Sequence, residues 1–363
     1  MKYTLGLKRI DWYIIKQFLG TYIFAIVLII SISVVFDINE KIDKFLNPEV
    51  PLRAIVFDYY MNFIPYFANL FSPLFTFIAV IFFTSKLADK SEIIAMLASG
   101  VSFKRLMLPY MISAAVIAIA TFVLNAFIIP PANITRIEFQ NNYIKDKRVE
   151  YARDIQLEVE PGVIAYFGSY DTKSRMGYRF SLKHFEDKRL VSNLTASSIK
   201  YDTLYQWTIM DYMIRDFEGM RETITEGSRK DTTIVIIPSD FLIAVNDNET
   251  MTTPQLYTYI KRQKQRGIGN IQQFEIEYHK RYAGILAAFI LTTIGASLSS
   301  RKVKGGMGLN IGIGIGLSFT YILFTTVTST FAINGYVTPM VAAWIPNIIY
   351  SVIAIFLYTR APR

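Results

Sequence analysis

Residues Phe18–Phe36 read FLGTYIFAIVLIISISVVF, a run without a single Asp, Glu, Lys or Arg. A helix rising ~1.5 Å per residue needs about 20 such residues to cross a ~30 Å hydrocarbon core, so this run is expected to span a membrane. Its flank is basic like that of a signal peptide, but the apolar stretch is too long and no small-x-small site follows it, so it is expected to stay as a helix. Outward from it, further charge-free runs lie at Tyr59–Ser85, Leu106–Thr135, Tyr282–Ser300 and Gly305–Thr359. The first three hold one helix each. The last is interrupted by Asn334, Gly335 and Pro339 and is expected to fold as a hairpin, with spans at Met307–Thr330 and Pro339–Tyr358. Six spans follow.

The composition agrees: 52% of the 363 residues are hydrophobic and only 18% charged, with mean hydropathy +0.31. A soluble domain has too little interior for that much apolar surface. The chain has no cysteine, which excludes disulfides, thiolate catalysis and thiolate metal ligation. With His184 and His279 its only histidines, no metal site is expected. The net charge of +9 has a topological explanation. Thirteen Lys and Arg, among them Lys2, Arg9, Lys86, Lys90, Arg105, Arg301, Lys302, Lys304 and Arg363, fall at the termini and in loops of one side. The other side has Lys41, Lys44 and Arg53, and none between Phe331 and Thr338. Positive-inside bias then puts both termini in the cytoplasm and makes a nucleic-acid surface unnecessary.

Residues 136–281 differ in texture, holding 22 Lys/Arg against 21 Asp/Glu. Gly162–Tyr170, Tyr178–Phe185, Leu190–Tyr201, Tyr205–Phe217 and Glu222–Pro238 alternate apolar and polar residues between turn-forming clusters, which predicts an all-β sandwich or roll. Tyr166, Phe167, Phe180, Trp207 and Ile209 are the expected core; an incompletely filled inner face would accept acyl chains, and an open edge would accept a strand. Thr253 and Pro254 open a helix with Leu256, Tyr257 and Ile260 on one face, closing near Arg266 and Gly267, and Gln272–Lys280 leads into the fourth span.

The loop Ser85–Leu106 reads SKLADKSEIIAMLASGVSFKRL. Ser91 is a plausible N-cap, Ile94 and Leu97 with Ile93 an apolar stripe, Gly100 a stop and Ser102 a second cap. A short helix there suits a permease that docks on a soluble ATPase, with Glu92 as polar contact and Ile93, Met96 and Leu97 supplying burial; lying on lipid headgroups is the alternative. No G-x-x-x-x-G-K-[ST] loop is present and no dinucleotide pattern, so no cofactor is expected and energy must come from elsewhere. No ionisable residue lies deep in a span, unlike the usual ion-coupled carrier. Gly308, Gly312 and Gly316 give the fifth span a small-residue face, suited to a sliding gate helix or to packing within the chain.

The string SEIIAMLASGVSFKRL at Ser91–Leu106 resembles the cytoplasmic loop of the lipopolysaccharide-export permeases, the LptF/LptG family. NAFIIPPAN at Asn125–Asn133, TPQLYTYIKRQKQRG at Thr253–Gly267, EYHKRYAG at Glu277–Gly284 and the Gly305–Gly316 stretch are similar to that family in the same order. The resemblance covers essentially the whole chain and leans toward the LptG subunit. It implies an α-helical integral membrane protein with six transmembrane helices and an inserted all-β, jellyroll-like periplasmic domain. Residues 1–135 would hold helices 1–3 with a cytoplasmic coupling helix near 89–99, residues 136–271 the β domain, and residues 272–363 helices 4–6. It also implies an inner-membrane heterodimer with a paralogous permease subunit, a homodimeric cytoplasmic ABC ATPase, and a single-span accessory protein with its own periplasmic jellyroll. Lipopolysaccharide would be the substrate, with no enzymatic activity in this chain. Lys41 and Lys44, outside the first span, are the candidate contacts to lipid A phosphates, with Arg53 and Arg136 as weaker ones; local pairing of the lysines with Glu40 and Asp43 is the alternative. Two rivals are a mechanotransmitting permease that moves no lipid, and a membrane enzyme acting on envelope glycolipid through Asp37, Asp43 and Asp58.

Overall fold

The computed structural model describes residues 8–144, 151–172, 174–219, 221–238, 247–265, 271–301 and 306–361. Lys2, Arg266, Gly267, Lys302, Lys304, Gly305 and Arg363, invoked above, lie outside the described residues. The chain divides into two compact units, one of residues 1–144, 249–254 and 272–363, the other of residues 145–248 and 255–271.

The first unit is helical. Helix α1 (Arg9–Phe45) is followed by the short α2 (Leu52–Ala54), then α3 (Met61–Leu70), α4 (Ser72–Asp89), α5 (Glu92–Ala98), α6 (Phe103–Val123) and α7 (Ile129–Phe139). After the inserted unit come α9 (Gln272–Ser299), α10 (Gly306–Ile333) and α11 (Pro339–Thr359), with α8 (Thr253–Gln265) preceding them. Six helices among the described residues are long and apolar enough to cross a membrane: Arg9–Phe45, Ser72–Asp89, Phe103–Ile144, Gln272–Ser299, Gly308–Ile333 and Pro339–Thr359.

Two proline sites shape these spans. The expected run Tyr59–Ser85 is not one rod, because the helix breaks at Phe71 and the membrane-length piece is α4 alone. Pro73 has no N–H to give the Asn69 carbonyl and its ring crowds that position, so a new helix starts with proline in its first turn. At Pro130 and Pro131 the chain stays helical, since the preceding turn, Leu124–Ile128, widens to a π-helix that absorbs the missing donors.

The core joins α1, α4, α6, α9, α10 and α11 through Phe18, Phe77, Tyr110, Leu291, Tyr321 and Tyr350. Here glycine matters at two places: a Cβ on Gly295 would overlap Val80, and one on Gly314 would overlap Ile81. Helix α4 is therefore pressed against both α9 and α10.

The second unit is a sheet. Strands β1 (Tyr151–Glu160), β2 (Val163–Asp171), β3 (Met176–Glu186), β4 (Arg189–Thr203), β5 (Gln206–Glu218) and β6 (Arg221–Thr233) form one antiparallel meander in sequence order. The β3–β4 turn has Asp187 and Lys188 both at positive φ, the two-residue geometry that matches strand twist. One face carries Phe167, Phe180, Ile199, Trp207 and Ile209, all fully buried, and the Trp207 Nε1 donates to the Ile236 carbonyl at 3.1 Å. Tyr166, expected in this core, is only half-buried: strand alternation turns it to the face opposite Ala165 and Phe167. In α8, Leu256 and Ile260 are buried one turn apart while Tyr257 stands exposed, so the predicted three-residue face holds two.

Candidate functional site

The helical unit presents two polar ends, about 39 Å apart along α1 from Asp11 to Asp37. At the first, Asp11 is completely buried and accepts the Lys8 backbone N–H at 2.7 Å, closing the first turn of α1. Arg105, in the first turn of α6, donates to its two oxygens at 2.7 and 2.6 Å. This bidentate pair ties the start of α1 to the start of α6, with α5 lying between α4 and α6 in sequence. No sequence signal marks it, because Arg105 counts there only as one of the basic residues of that side and Asp11 precedes it by 94 positions.

Helix α5 is set differently from the expected cap and stripe. Ser91 adopts a left-handed φ of 59° with no side-chain cap, because it ends α4: its N–H donates to the Ala88 carbonyl at 3.0 Å. Gly100, at φ +88°, does stop α5, with Gly100 N–H to Leu97 O at 3.0 Å and Val101 N–H to Met96 O at 3.2 Å. The Ser102 side chain caps α6 by accepting from the Arg105 N–H. Ile93 is fully buried in the core of the helical unit, and Met96 and Leu97 pack half-buried against it. Ile93 therefore cannot supply burial to a partner. The outward apolar surface is Ile94, 55% exposed, with Ala95 and Ala98. Glu92 is half-buried and accepts from the Tyr13 hydroxyl at 3.4 Å.

At the other end of α1, Asp37 is buried and accepts from three donors: Lys41 Nζ one turn later, Tyr59 OH at 3.2 Å and Tyr60 OH at 3.0 Å. Lys41 Nζ also reaches Tyr59 OH at 2.5 Å. The partner of Lys41 is thus Asp37 and not Glu40 or Asp43, since residues one helical turn apart share a face. Phe45, Tyr59, Tyr60, Phe63 and Phe139 crowd around this group, some pairs edge to face and others tilted. Lys44 and Arg53 are exposed. Asp43 and Asp58 are exposed too, whereas Asp37 is already engaged by its three donors.

Arg136 is corrected by the structure. It is 8% exposed, its Nε donates to Asn133 Oδ1 at 3.1 Å, its guanidinium lies 4.3 Å over the Tyr66 ring, and Glu249 stands 3.9 Å away. A guanidinium so occupied is a structural anchor, not an open phosphate contact. Glu249 also accepts from Tyr66 OH at 3.2 Å. Burial, with Glu277 nearby, holds the Glu249 carboxyl above its ordinary range against the opposing pull of Tyr66 and Arg136. On α9, one turn after Glu277, Arg281 donates to the Glu277 carboxylate at 3.0 Å, to the Met251 carbonyl at 2.9 Å and to Thr253 Oγ1 at 3.1 Å. The segment 249–254 is fastened to α3, α7 and α9 by these bonds. A cavity of about 80 Å³ opens beside Arg281, lined by Asn69, Ser72, Thr76, Thr121 and Asn125.

On α10, Cβ atoms at Gly308, Gly312 and Gly316 would meet nothing within 4 Å among the described residues, whereas Gly314 packs closely against Ile81 and Phe77.

Among the described residues, six membrane-length apolar helices, a short elbow between the second and third and a sheet inserted between the third and fourth make up a multi-pass membrane architecture. The family model described as lipopolysaccharide export system permease LptF/LptG matches residues 12–360, and the chain belongs to that family. No curated protein matches it. It is accordingly a lipopolysaccharide export permease of the inner membrane, a transporter subunit that works in a system of paralogous permeases.

Proposed function

We propose that this chain is one half of an ATP-driven lipopolysaccharide extractor, paired with a paralogous subunit and moved by a separate cytoplasmic ATPase. The observation that carries this reading is α5. It is too short to hold itself, yet it is locked from beneath by Ile93, Met96 and Leu97 and tied to α1 through Glu92 and Tyr13, while Ile94, Ala95 and Ala98 face outward. A rigid apolar knob that is continuous with the bundle core passes a push on its surface into α1, α4 and α6. The Asp11–Arg105 pair keeps two of those helices in step.

In this reading both termini and α5 are cytoplasmic, and the sheet unit is periplasmic, where it passes lipid toward the accessory protein's jellyroll. Lys44 and Arg53 meet lipid A phosphates at headgroup depth, and Lys41, oriented by Asp37 and Tyr59, completes the cationic set. The open glycine face Gly308, Gly312 and Gly316 receives the other subunit or the substrate when the gate moves. The test is ATP-driven release of lipopolysaccharide from proteoliposomes holding both permeases, the ATPase and the accessory protein. Ile94→Glu and Glu92→Lys are each expected to lower release and coupled ATP hydrolysis about ten-fold; full coupling in both variants rejects the docking role of α5.

A further inference from the structure

The sheet has a second face that neither the core nor the export reading uses. Strands β1 to β4 place Gln156 opposite Tyr166, Tyr166 opposite Ser181 and Ser181 opposite Thr195. The neighbouring row runs Ile164, Lys183, Asn193. These residues line a concavity of about 550 Å³, within the size range of small-ligand sites. Its floor is one half-buried phenol ring; two amides, two hydroxyls and the Lys183 ammonium supply the polar walls, and Ile164 and Phe185 add two apolar side chains. Asn193 Oδ1 is buried there with no hydrogen-bond partner among the described residues, an acceptor that a donor from outside would satisfy.

Cations stand along β3 on this face. Lys183 lines the concavity, and Arg179 lies across Gly168, where a Cβ would come within 2.5 Å of its Nε. Of the acids near this face, Glu158, in the row of Ile164 and Lys183, accepts from the Gly162 N–H, and Glu222 pairs with Arg215.

We infer that this face binds an anionic oligosaccharide, its sugar ring stacked on Tyr166, its hydroxyls bonded to Gln156, Ser181, Asn193 and Thr195, and its carboxylate or phosphate beside Lys183. Two other occupants fit badly. An acyl chain would strand the amides and hydroxyls without partners. A peptide adding as a strand would pair with an outer strand, β1 or β6, and not lie over the concavity, because β2 and β3 are paired on both edges. The inference takes its ligand from the reading that the cargo is lipopolysaccharide.

The full chain in detergent micelles is titrated with the water-soluble oligosaccharide left when lipopolysaccharide is stripped of all acyl chains, with neutral maltoheptaose and inorganic phosphate as comparison probes. Saturation-transfer NMR and calorimetry read affinity. The oligosaccharide should bind at least ten-fold more tightly than either comparison probe. Tyr166→Ala should weaken it about ten-fold and Lys183→Gln, an exposed substitution that leaves the fold intact, about five-fold. Equal oligosaccharide affinity in the parent and Lys183→Gln, or equal binding of phosphate and oligosaccharide, overturns the inference. Lipopolysaccharide release from proteoliposomes is measured in parallel: release without oligosaccharide binding removes this site alone, whereas its absence removes the export reading.

Discussion

Replacing Arg105 by Met isolates the strongest polar contact in the helical unit. Asp11 is completely buried, so losing the two guanidinium bonds at 2.7 and 2.6 Å leaves a carboxylate with only the Lys8 N–H. Stranding one partner of a buried ion pair costs about 3–5 kcal/mol. The Arg105 side chain is 33% exposed, so water enters the vacated space and the loss belongs at the lower end, about 3 kcal/mol. Adding Asp11→Asn removes the stranded charge and keeps an acceptor for Lys8, which should return about 2 kcal/mol, so the coupling in the double-mutant cycle is at least about that size. Arg105→Lys retains the charge but loses the fork, at about 1–1.5 kcal/mol. Denaturant unfolding of the purified protein in micelles, followed by tryptophan fluorescence, measures these three variants and the Asp11→Asn single that closes the cycle. A change under 0.5 kcal/mol for Arg105→Met, or a double variant no more stable than the single, would refute the reasoning.

Glu249 gives a pH dependence of defined sign. Its folded pKa lies above the ordinary value of 4.5, so the protonated form favours the folded state and this contribution fades as pH rises through the folded pKa. Glu249→Gln should gain on the parent between pH 4.5 and 7.5 in unfolding experiments; a variant that falls further behind at the higher pH contradicts the assignment. Gly314→Ala should cost about 1–3 kcal/mol by overpacking Ile81, while Gly312→Ala, with open space around it, should be neutral or stabilise by up to ~1 kcal/mol in the isolated subunit. Ile93→Ala should lower thermal stability by about 2–4 kcal/mol, whereas Ile94→Ala should leave it within 0.5 kcal/mol and act only on ATPase binding.

The spans were legible because charge is excluded from lipid-facing helix, and a charge-free run is visible without knowing its neighbours. Strand alternation located β2 to β6 in the same way. The orientation of α5 was not: with Ile93, Ile94 and Leu97 in two turns, the apolar pattern fits either side, and only the packing beneath decides that Ile93 goes in and Ile94 out. The Arg136–Glu249 contact joins residues 113 positions apart, and the Asp11–Arg105 pair residues 94 apart, and no periodicity encodes such pairings. The glycines show both cases. A four-residue spacing marked Gly308, Gly312 and Gly316, yet the close approaches are at Gly314 and Gly295, where α4 happens to press.

The central claim is that α5 receives force on one side of the membrane while the sheet works on the other. The chain contains no cysteine, so a single thiol at Ile94→Cys or Thr223→Cys, both exposed, can be labelled without background. With a membrane-impermeant maleimide, spheroplasts should label Thr223→Cys and spare Ile94→Cys, and inverted vesicles should reverse the pattern. Labelling of both thiols from the same side contradicts the account.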